Sequence, residues 1–424
     1  MYPQRHETRT ETTSTLEAAA RANSFRMTAT KWHLVRMFEA MARLVKPLIP
    51  PLPPLTNSAE SPARILVVEF WNLGDLAMLV PFLSNLRRAF PSARISLLLN
   101  SAFEPLLHGQ GLVDEFIPAR APWARHFHRW RKYNPFSLDW IVLARTIFAL
   151  RKRQFDWGFA GRVDVRDNFL LWLSGARRRI GYGFAGGGGF LTDSVSPDLT
   201  RPHRTDLWLH LLEALGVSSD RPEVRFRLQA SDLSFAQSYL AELGIPASAL
   251  LVGIHPGARI AIRRWGADRF AEVARRLVNE TDAHILWFHE PGASLQAPHL
   301  RRFHSVSLDL HQFLAVLSQC GLLICNDSGP MHLANLVGVP VVAVFGPQKP
   351  EWYGPRGPQD RVVIRPEFSC RPCWDSCVFD QPYCLRAISV DEVHDAAKKH
   401  INRVLNSERT GVSSADTAEL ASHV

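Results

Sequence analysis

Apolar residues recur along this chain in two alternating rhythms, and the switching between them predicts a layered α/β architecture. The segment Arg64-Ile65-Leu66-Val67-Val68-Glu69-Phe70 has a continuously apolar centre, as a strand buried on both faces of a parallel sheet requires. Asn72-Leu73-Gly74-Asp75 breaks it, and from there Leu76, Leu79, Leu83, Leu86 and Phe90 recur at helical spacing up to Pro91. The same alternation predicts strands over 94–99, 114–118 and 156–160, with helices around 138–151 and ahead of Arg177. A helix over 205–215, carried by Leu207, Leu211, Leu212 and Leu215, ends at Gly216, and a second helical segment follows near 233–243.

The rhythm then restarts. Leu251 to Ile254 reads as a strand running into His255-Pro256-Gly257-Ala258, followed by a helix through Phe270, Val273 and Leu277. Ile285 to Phe288 is the next strand, 310–317 the next helix, and Leu323-Ile324-Cys325-Asn326-Asp327-Ser328-Gly329-Pro330-Met331-His332 reads as strand, tight turn and helix. Asp327 or Ser328 is the expected cap of that helix, with Gly329 allowing a ligand close to the backbone and Pro330 suiting its first turn. A helix start at the carboxyl end of a strand attracts a phosphate or diphosphate, and His332 faces the same mouth. The strand over 340–345 closes on Gly346-Pro347, so two adjacent strand ends open onto one crevice, where open α/β sheets bind ligands.

Strands alternating with helices twice over imply two parallel sheets, each covered on both faces. The expected division is an extension over 1–60, a first domain over 61–225, a second over 226–405 and a polar tail over 406–424. Within the extension, Trp32, Val35, Phe38, Met41, Leu44 and Val45 recur at helical spacing among basic residues, giving a basic amphipathic helix. It either lies on an anionic membrane surface or docks on its own domain. The Pro-rich run over 47–54 is a stiff spacer. Between Pro122 and Tyr133, Trp123, Phe127 and Trp130 alternate with Arg125, Arg129, Arg131 and Lys132. That segment either holds an anionic amphiphile or is a solvated loop. Gly181-Tyr182-Gly183-Phe184-Ala185-Gly186 has the letters of a dinucleotide fingerprint, but no helix opens there as that motif requires. Its glycines are expected to form a mobile loop near the substrate mouth.

Composition narrows the partners. The 49 Lys+Arg against 40 Asp+Glu leave a net charge of +9, which suits an anionic partner. No RNA- or DNA-binding fingerprint accompanies the charge, so nucleic acid is not expected. No early segment has the build of a secretory signal and no apolar run would span a bilayer, which points to a cytoplasmic protein. Cys320 and Cys325 sit in apolar surroundings and read as packing residues, whereas Cys370, Cys373, Cys377 and Cys384 share one short segment. Four thiols this close supply the donor set of a structural zinc or an iron–sulfur cluster, with unliganded thiols as the alternative.

The ordered motifs Asn72-Leu73-Gly74-Asp75, His255-Pro256-Gly257-Ala258 with Arg263-Arg264-Trp265, Asn326 through Ala334 and Phe345-Gly346-Pro347 resemble those of glycosyltransferase family 9, the ADP-heptose:lipopolysaccharide heptosyltransferases. The resemblance runs from about Arg64 to about Val393 and implies a GT-B fold: two Rossmann-like domains facing a central cleft, with acceptor on the first and nucleotide-sugar on the second. It matches Asp75 to the general base, with Gly74 beside it. Arg263 stands where the family has Lys, keeping the charge and adding a forked donor for phosphate. Glu290 matches a position that holds the ribose hydroxyls, and Asp327 and His332 would face sugar and diphosphate. The amides at Ser328 and Gly329 would meet the leaving group, and His255 is either a further contact or a turn-stabilising residue.

The activity implied is inverting transfer, without a required cofactor, of heptose from ADP-heptose to a lipopolysaccharide core or related lipid-linked glycan at the cytoplasmic face of the membrane. A GT-B nucleotide-sugar epimerase and a non-catalytic nucleotide-sugar or lipid-binding module are the alternatives.

Overall fold

In a computed structural model the described residues are 62–119, 138–184, 186–219, 225–290, 300–373 and 376–410, together with His33, Arg36, Met37 and Ala40. Most of the basic amphipathic helix of the extension, its Pro-rich spacer, the aromatic and basic segment over 122–133 and the carboxyl-terminal tail beyond residue 410 lie outside them, whereas residues 406–410 of the expected tail continue a helix.

Two parallel sheets of six strands organise the chain. The first contains β1 (Arg64–Val68), β2 (Arg94–Leu99), β3 (Glu115–Pro118), β4 (Trp157–Ala160), β5 (Arg178–Tyr182) and β6 (Asp193–Val195), in the order β3-β2-β1-β4-β5-β6. Its helices are α1 (Leu73–Ala89), α2 (Leu138–Arg153), α3 (Val165–Leu173) and α4 (Arg204–Glu213). Successive residues of a strand point to opposite faces, and the packing follows that period of two. Ile65 and Val67 join Ile95, Leu97 and Leu99 under α1 and α4, whereas Leu66, Val68 and Leu98 meet Leu143 and Leu150 of α2 and Leu170 and Leu171 of α3.

The second sheet repeats this plan. It contains β7 (Leu251–His255), β8 (His284–Phe288), β9 (Phe303–Val306), β10 (Leu322–Asn326), β11 (Val341–Phe345) and β12 (Arg361–Ile364), ordered β12-β11-β10-β7-β8-β9. Read from the other edge, this is the strand order of the first sheet. Around it lie α5 (Ala230–Glu242), α6 (Ala267–Glu280), α7 (Leu310–Leu317), α8 (Gly329–Leu336), the short α9 (Pro350–Tyr353) and α10 (Tyr383–Arg386), and α11 (Val390–Thr410). Val252, Ile254, Trp287 and Ile324 face α6 and α11, while Phe288, Leu323 and Phe345 face the other layer, which also buries Cys320 and Cys325. Leu314 of α7 and Leu333 and Leu336 of α8 belong to the core of the first half, so one apolar cluster bridges the two sheets. No helix among the described residues is long and apolar enough to cross a membrane.

Four strands, β5, β6, β9 and β12, were not expected from the pattern. The last three are short edge strands whose residues are mostly half-buried or exposed, so none carries the fully apolar run that marks an interior strand, and β5 opens on Arg178 and Arg179. The glycine run is also corrected. Gly181 lies within β5, where a Cβ would come 2.8 Å from the Ala160 carbonyl oxygen, and Gly183 abuts Ser194 and Gly188. Gly181 is thus a close-packing point against β4 and Gly183 one against β6, not an open loop.

In each sheet the chain leaves β1 or β7 toward one edge and later returns to the neighbouring β4 or β10. The β1/β4 and β7/β10 ends are therefore the switch points where doubly wound sheets form ligand crevices. Gly161, just after β4, sits against the fully buried Trp208, with an added Cβ reaching 2.3 Å from its ring. Trp208 is itself wedged against Phe82 at 4.9 Å between ring centroids. Gly161→Ala is expected to cost ~1–3 kcal/mol of stability through overpacking, read as a lower midpoint of thermal unfolding; an unchanged midpoint would show that Trp208 can shift.

Candidate active site

The two switch points meet. A Cβ placed on Gly74, in the first turn of α1, would lie 3.0 Å from His332 Cδ2 and 3.7 Å from Gly329 Cα, so the starts of α1 and α8 touch through two glycines and the His332 ring. Neither start is closed by its own cap. Asn72 precedes α1 but donates from Nδ2 to Asp75 Oδ2 at 2.9 Å, and Ser328 precedes α8 with its hydroxyl turned back to the Asn326 carbonyl oxygen at 3.2 Å. The expected side-chain cap at Asp327 or Ser328 is thus replaced by an open helix end. Its positive end and unclaimed side-chain position suit an incoming anion.

Asp75 is buried at this junction, 7% exposed, in the first turn of α1. Arg162, just beyond β4, brings a guanidinium Nη1 to 3.1 Å from Asp75 Oδ1 and stacks over the Trp71 ring at 4.4 Å from its centroid. Burial alone would raise the Asp75 carboxyl, but Arg162, Arg204 and the Asn72 amide outweigh it and hold it below the usual carboxylate range. Asp75 is therefore ionised at neutral pH. Each of its oxygens has one partner, and a carboxylate has acceptor capacity beyond two.

A second carboxylate lies beneath it. Glu69, at the end of β1, is 2% exposed, accepts from the Trp71 amide at 3.4 Å and lies 3.7 Å from Arg204 Nη2. Burial, reinforced by the charge of Asp75 and only partly offset by Arg204 and Arg162, pushes Glu69 up to about 7. Asp167 is likewise raised, first by burial and then by Asp164, while the Trp71 indole donates to it at 3.1 Å. Glu69, Arg162 and Arg204 were not singled out from the sequence. Arg162 follows a predicted strand end and could have been found by asking what each such end presents; Arg204 opens α4, far from any strand end, and carried no signal.

On the second half, Asn326 braces the turn, with Oδ1 accepting from the Trp265 amide at 3.0 Å and Nδ2 donating to the Pro256 carbonyl oxygen at 2.8 Å. Asp327, raised by burial against the pull of Arg263, lies 3.2 Å from Arg263 Nη1. Burial pushes His332 down to about 4 against the attraction of Asp75, so its imidazole is neutral at pH 7. The fold thus brings Gly74, Asp75, Arg263, Asp327, Ser328, Gly329 and His332 to one crevice. His255 is nearby but folds against its own turn, its Cε1 3.0 Å from where a Gly257 Cβ would lie, and burial pushes it to about 4. Glu290 is exposed, two residues beyond β8 at the same sheet edge, and makes no described contact with this group.

The cysteine segment is stapled to the neighbouring strand end. The Cys373 amide donates to the Pro347 carbonyl oxygen at 2.8 Å, Gln348 Nε2 to the Cys373 carbonyl oxygen at 2.6 Å, and Arg371 Nε to the Gly346 carbonyl oxygen at 2.7 Å. Cys370, Cys373, Cys377 and Cys384 are free thiols lining a small pocket shared with Phe368 and Phe379. Burial, then the other three thiols, pushes Cys373 up to about 12. The donors have the right chemistry for a thiophilic metal, yet among the described residues no three His, Cys, Asp or Glu side chains converge to hold an ion.

The family model described as "Glycosyltransferase family 9 (heptosyltransferase)" matches residues 143–382. Lipopolysaccharide heptosyltransferase 2 of Salmonella typhimurium is 23% identical over 316 residues, covering 71% of this chain and 87% of the relative. Among solved structures, a family 9 glycosyltransferase from Veillonella parvula superposes with a TM-score of 0.62 at 22% identity, covering 80% of this chain and 97% of its own. The E. coli ADP-heptose LPS heptosyltransferase II does so with a TM-score of 0.61 at 19% identity, covering 80% and 99%. With paired Rossmann-like sheets in the GT-B arrangement and the family model spanning more than half its length, the chain belongs to glycosyltransferase family 9 and is a glycosyltransferase.

Proposed function

We propose that this enzyme transfers heptose from ADP-heptose, with inversion at the anomeric carbon, to a lipopolysaccharide core or related lipid-linked glycan. In this reading residues 61–225 form the acceptor side and residues 226–405 the nucleotide-sugar side. The acceptor's lipid anchor sets the reaction at the cytoplasmic face of the inner membrane. The observation that carries the proposal is an ionised carboxylate, Asp75, on the first half, set against an open helix start and a neutral imidazole on the second.

The chemistry follows from that placement. The acceptor hydroxyl gives its proton to a free lone pair of Asp75 as its oxygen bonds to the anomeric carbon. The bond from that carbon to the diphosphate oxygen breaks, and its electron pair leaves on the nucleotide. The growing negative charge meets the amides at Ser328 and Gly329 and the Arg263 guanidinium, which are fixed before the reaction begins. Asp327 holds Arg263 in place until the diphosphate arrives. His332, neutral, offers a hydrogen bond to sugar or diphosphate without adding charge. Glu290 is assigned to the ribose by its match to the family position that holds the ribose hydroxyls, just beyond β8. For the cysteine segment we infer a structural role. Four soft donors in one segment have the chemistry for a thiophilic ion although they do not converge on one point, and elemental analysis distinguishes a bound zinc or iron–sulfur cluster from packed thiols.

Mass spectrometry of the products tests the activity. Transfer leaves a new glycosidic linkage on the acceptor, epimerisation a rearranged free nucleotide-sugar, and a binding module neither. Asp75→Asn is expected to lower kcat by ~10²–10⁴-fold with donor affinity little changed, measured by steady-state kinetics beside calorimetric titration of ADP; retained turnover would remove Asp75 from the reaction. Arg263→Ala should weaken ADP binding by ~10-fold or more, and an unaltered affinity would exclude it from the diphosphate site. Because Glu69 is raised from 4.5 to about 7, the folded protein holds an extra proton between those values, and stability falls as pH rises through that window. Glu69→Gln, which mimics the protonated form, is expected to flatten that fall and raise the melting midpoint at pH 8; melting curves parallel to the parent's from pH 5 to 8 would show that Glu69 titrates as an ordinary carboxyl.

A further inference from the structure

The geometry points to the outer face of α2 as a docking surface for an anionic lipid bilayer. The helix buries Leu143 and Leu150 against the first sheet, and its single acidic residue, Asp139, is buried as well. Facing outward are Leu138, Ile141 and Phe148, which are 74%, 52% and 62% exposed. Arg145 and Lys152 are exposed at the intervening turns, with the Lys152 ammonium 4.5 Å from the centroid of the Phe148 ring. Residues 138, 141, 145, 148 and 152 follow alternating steps of three and four, so they form one stripe along the helix.

That stripe joins large apolar side chains to cations and carries no acid. An interfacial helix has this composition: the apolar groups sink toward the acyl boundary while the cations meet anionic headgroups. A second copy of the chain fits it poorly. Across a two-fold interface the stripe would meet itself, bringing Arg145 and Lys152 toward their own counterparts with no carboxylate between them. The sequence leading into the helix extends the same charge, with Arg120, Arg125, Arg129, Arg131 and Lys132 and no Asp or Glu between Ala119 and Leu138.

The topology gives the surface a use. The chain leaves β3 at the carboxyl edge of the first sheet, the edge that carries Glu69, Asp75 and Arg162, and α2 then runs back toward the start of β4. The Leu138 end of the stripe is therefore on the crevice side, where a membrane-anchored acceptor would present its glycan. This use rests on the lipid-linked acceptor proposed above, but the binding itself does not.

The full chain is sedimented with vesicles of phosphatidylcholine alone and of phosphatidylcholine mixed with phosphatidylglycerol, at low and high salt. Binding is expected on the mixed vesicles and little on the neutral ones. Ile141→Asp/Phe148→Asp should weaken it at least about tenfold, and Arg145→Glu/Lys152→Glu should weaken it at low salt but little at high salt. All four side chains are exposed, and circular dichroism melts check that the variants fold. Variants that bind mixed vesicles as tightly as the parent would overturn the inference. So would a parent chain that ignores anionic vesicles, or one whose light scattering shows a dimer that Ile141→Asp/Phe148→Asp converts to monomer. Transfer to a water-soluble acceptor fragment, measured in parallel, should be equal in the parent and Ile141→Asp/Phe148→Asp. Vesicle binding without any transfer would refute the proposed activity while leaving the docking surface standing.

Discussion

Two helix starts meet where a Cβ on Gly74 would come 3.0 Å from the His332 ring, and the site depends on that contact. Gly74 on α1 lets the ends of two separate sheets close on each other, with the His332 ring filling the remaining gap. A side chain at position 74 would push the ring aside or wedge the halves apart. The consequence is electrostatic as well as steric. Two positive helix ends point into one crevice, and a cluster of carboxylates and arginines balances them there.

That balance is uneven by design of the fold. Asp75 keeps its charge because Arg162 and Asn72 reach it, whereas Glu69, at the end of β1, is surrounded by less compensation and holds its proton toward neutral pH. Two acids in one buried pocket are thereby driven apart in proton affinity, an arrangement common where one carboxylate must stay ready as an acceptor. Trp71 links the pair to Asp167 and carries Arg162 on its ring, so the orientation of the guanidinium is fixed by packing and not by charge alone.

Much of this was legible in the order of the residues. Interior strands are buried on both faces, so their apolar runs identify β1, β7, β10 and β11 directly, and the polar breaks after them mark the switch points. Edge strands have one open side and need no such run: β6, β9 and β12 escaped, whereas the edge strand β3 kept enough of one to be read. The glycine run was misjudged because flexibility and close packing call for the same residue; only the neighbours, Ala160 and Ser194, distinguish them. Ser328 was expected to cap its helix, yet its hydroxyl finds a nearer carbonyl at Asn326. Glu69 and Arg204 could not be paired from sequence, since residues from β1 and α4 meet only after the first sheet has closed.

Leu314, Leu333 and Leu336 reach out of the second half into the core of the first. A core held in common makes the two sheets one cooperative unit: neither half can be cut away and expressed alone without exposing a leucine-lined face. Any opening of the crevice would then have to pivot about this shared apolar hub or expose it to water, at the cost of the burial that joins the halves.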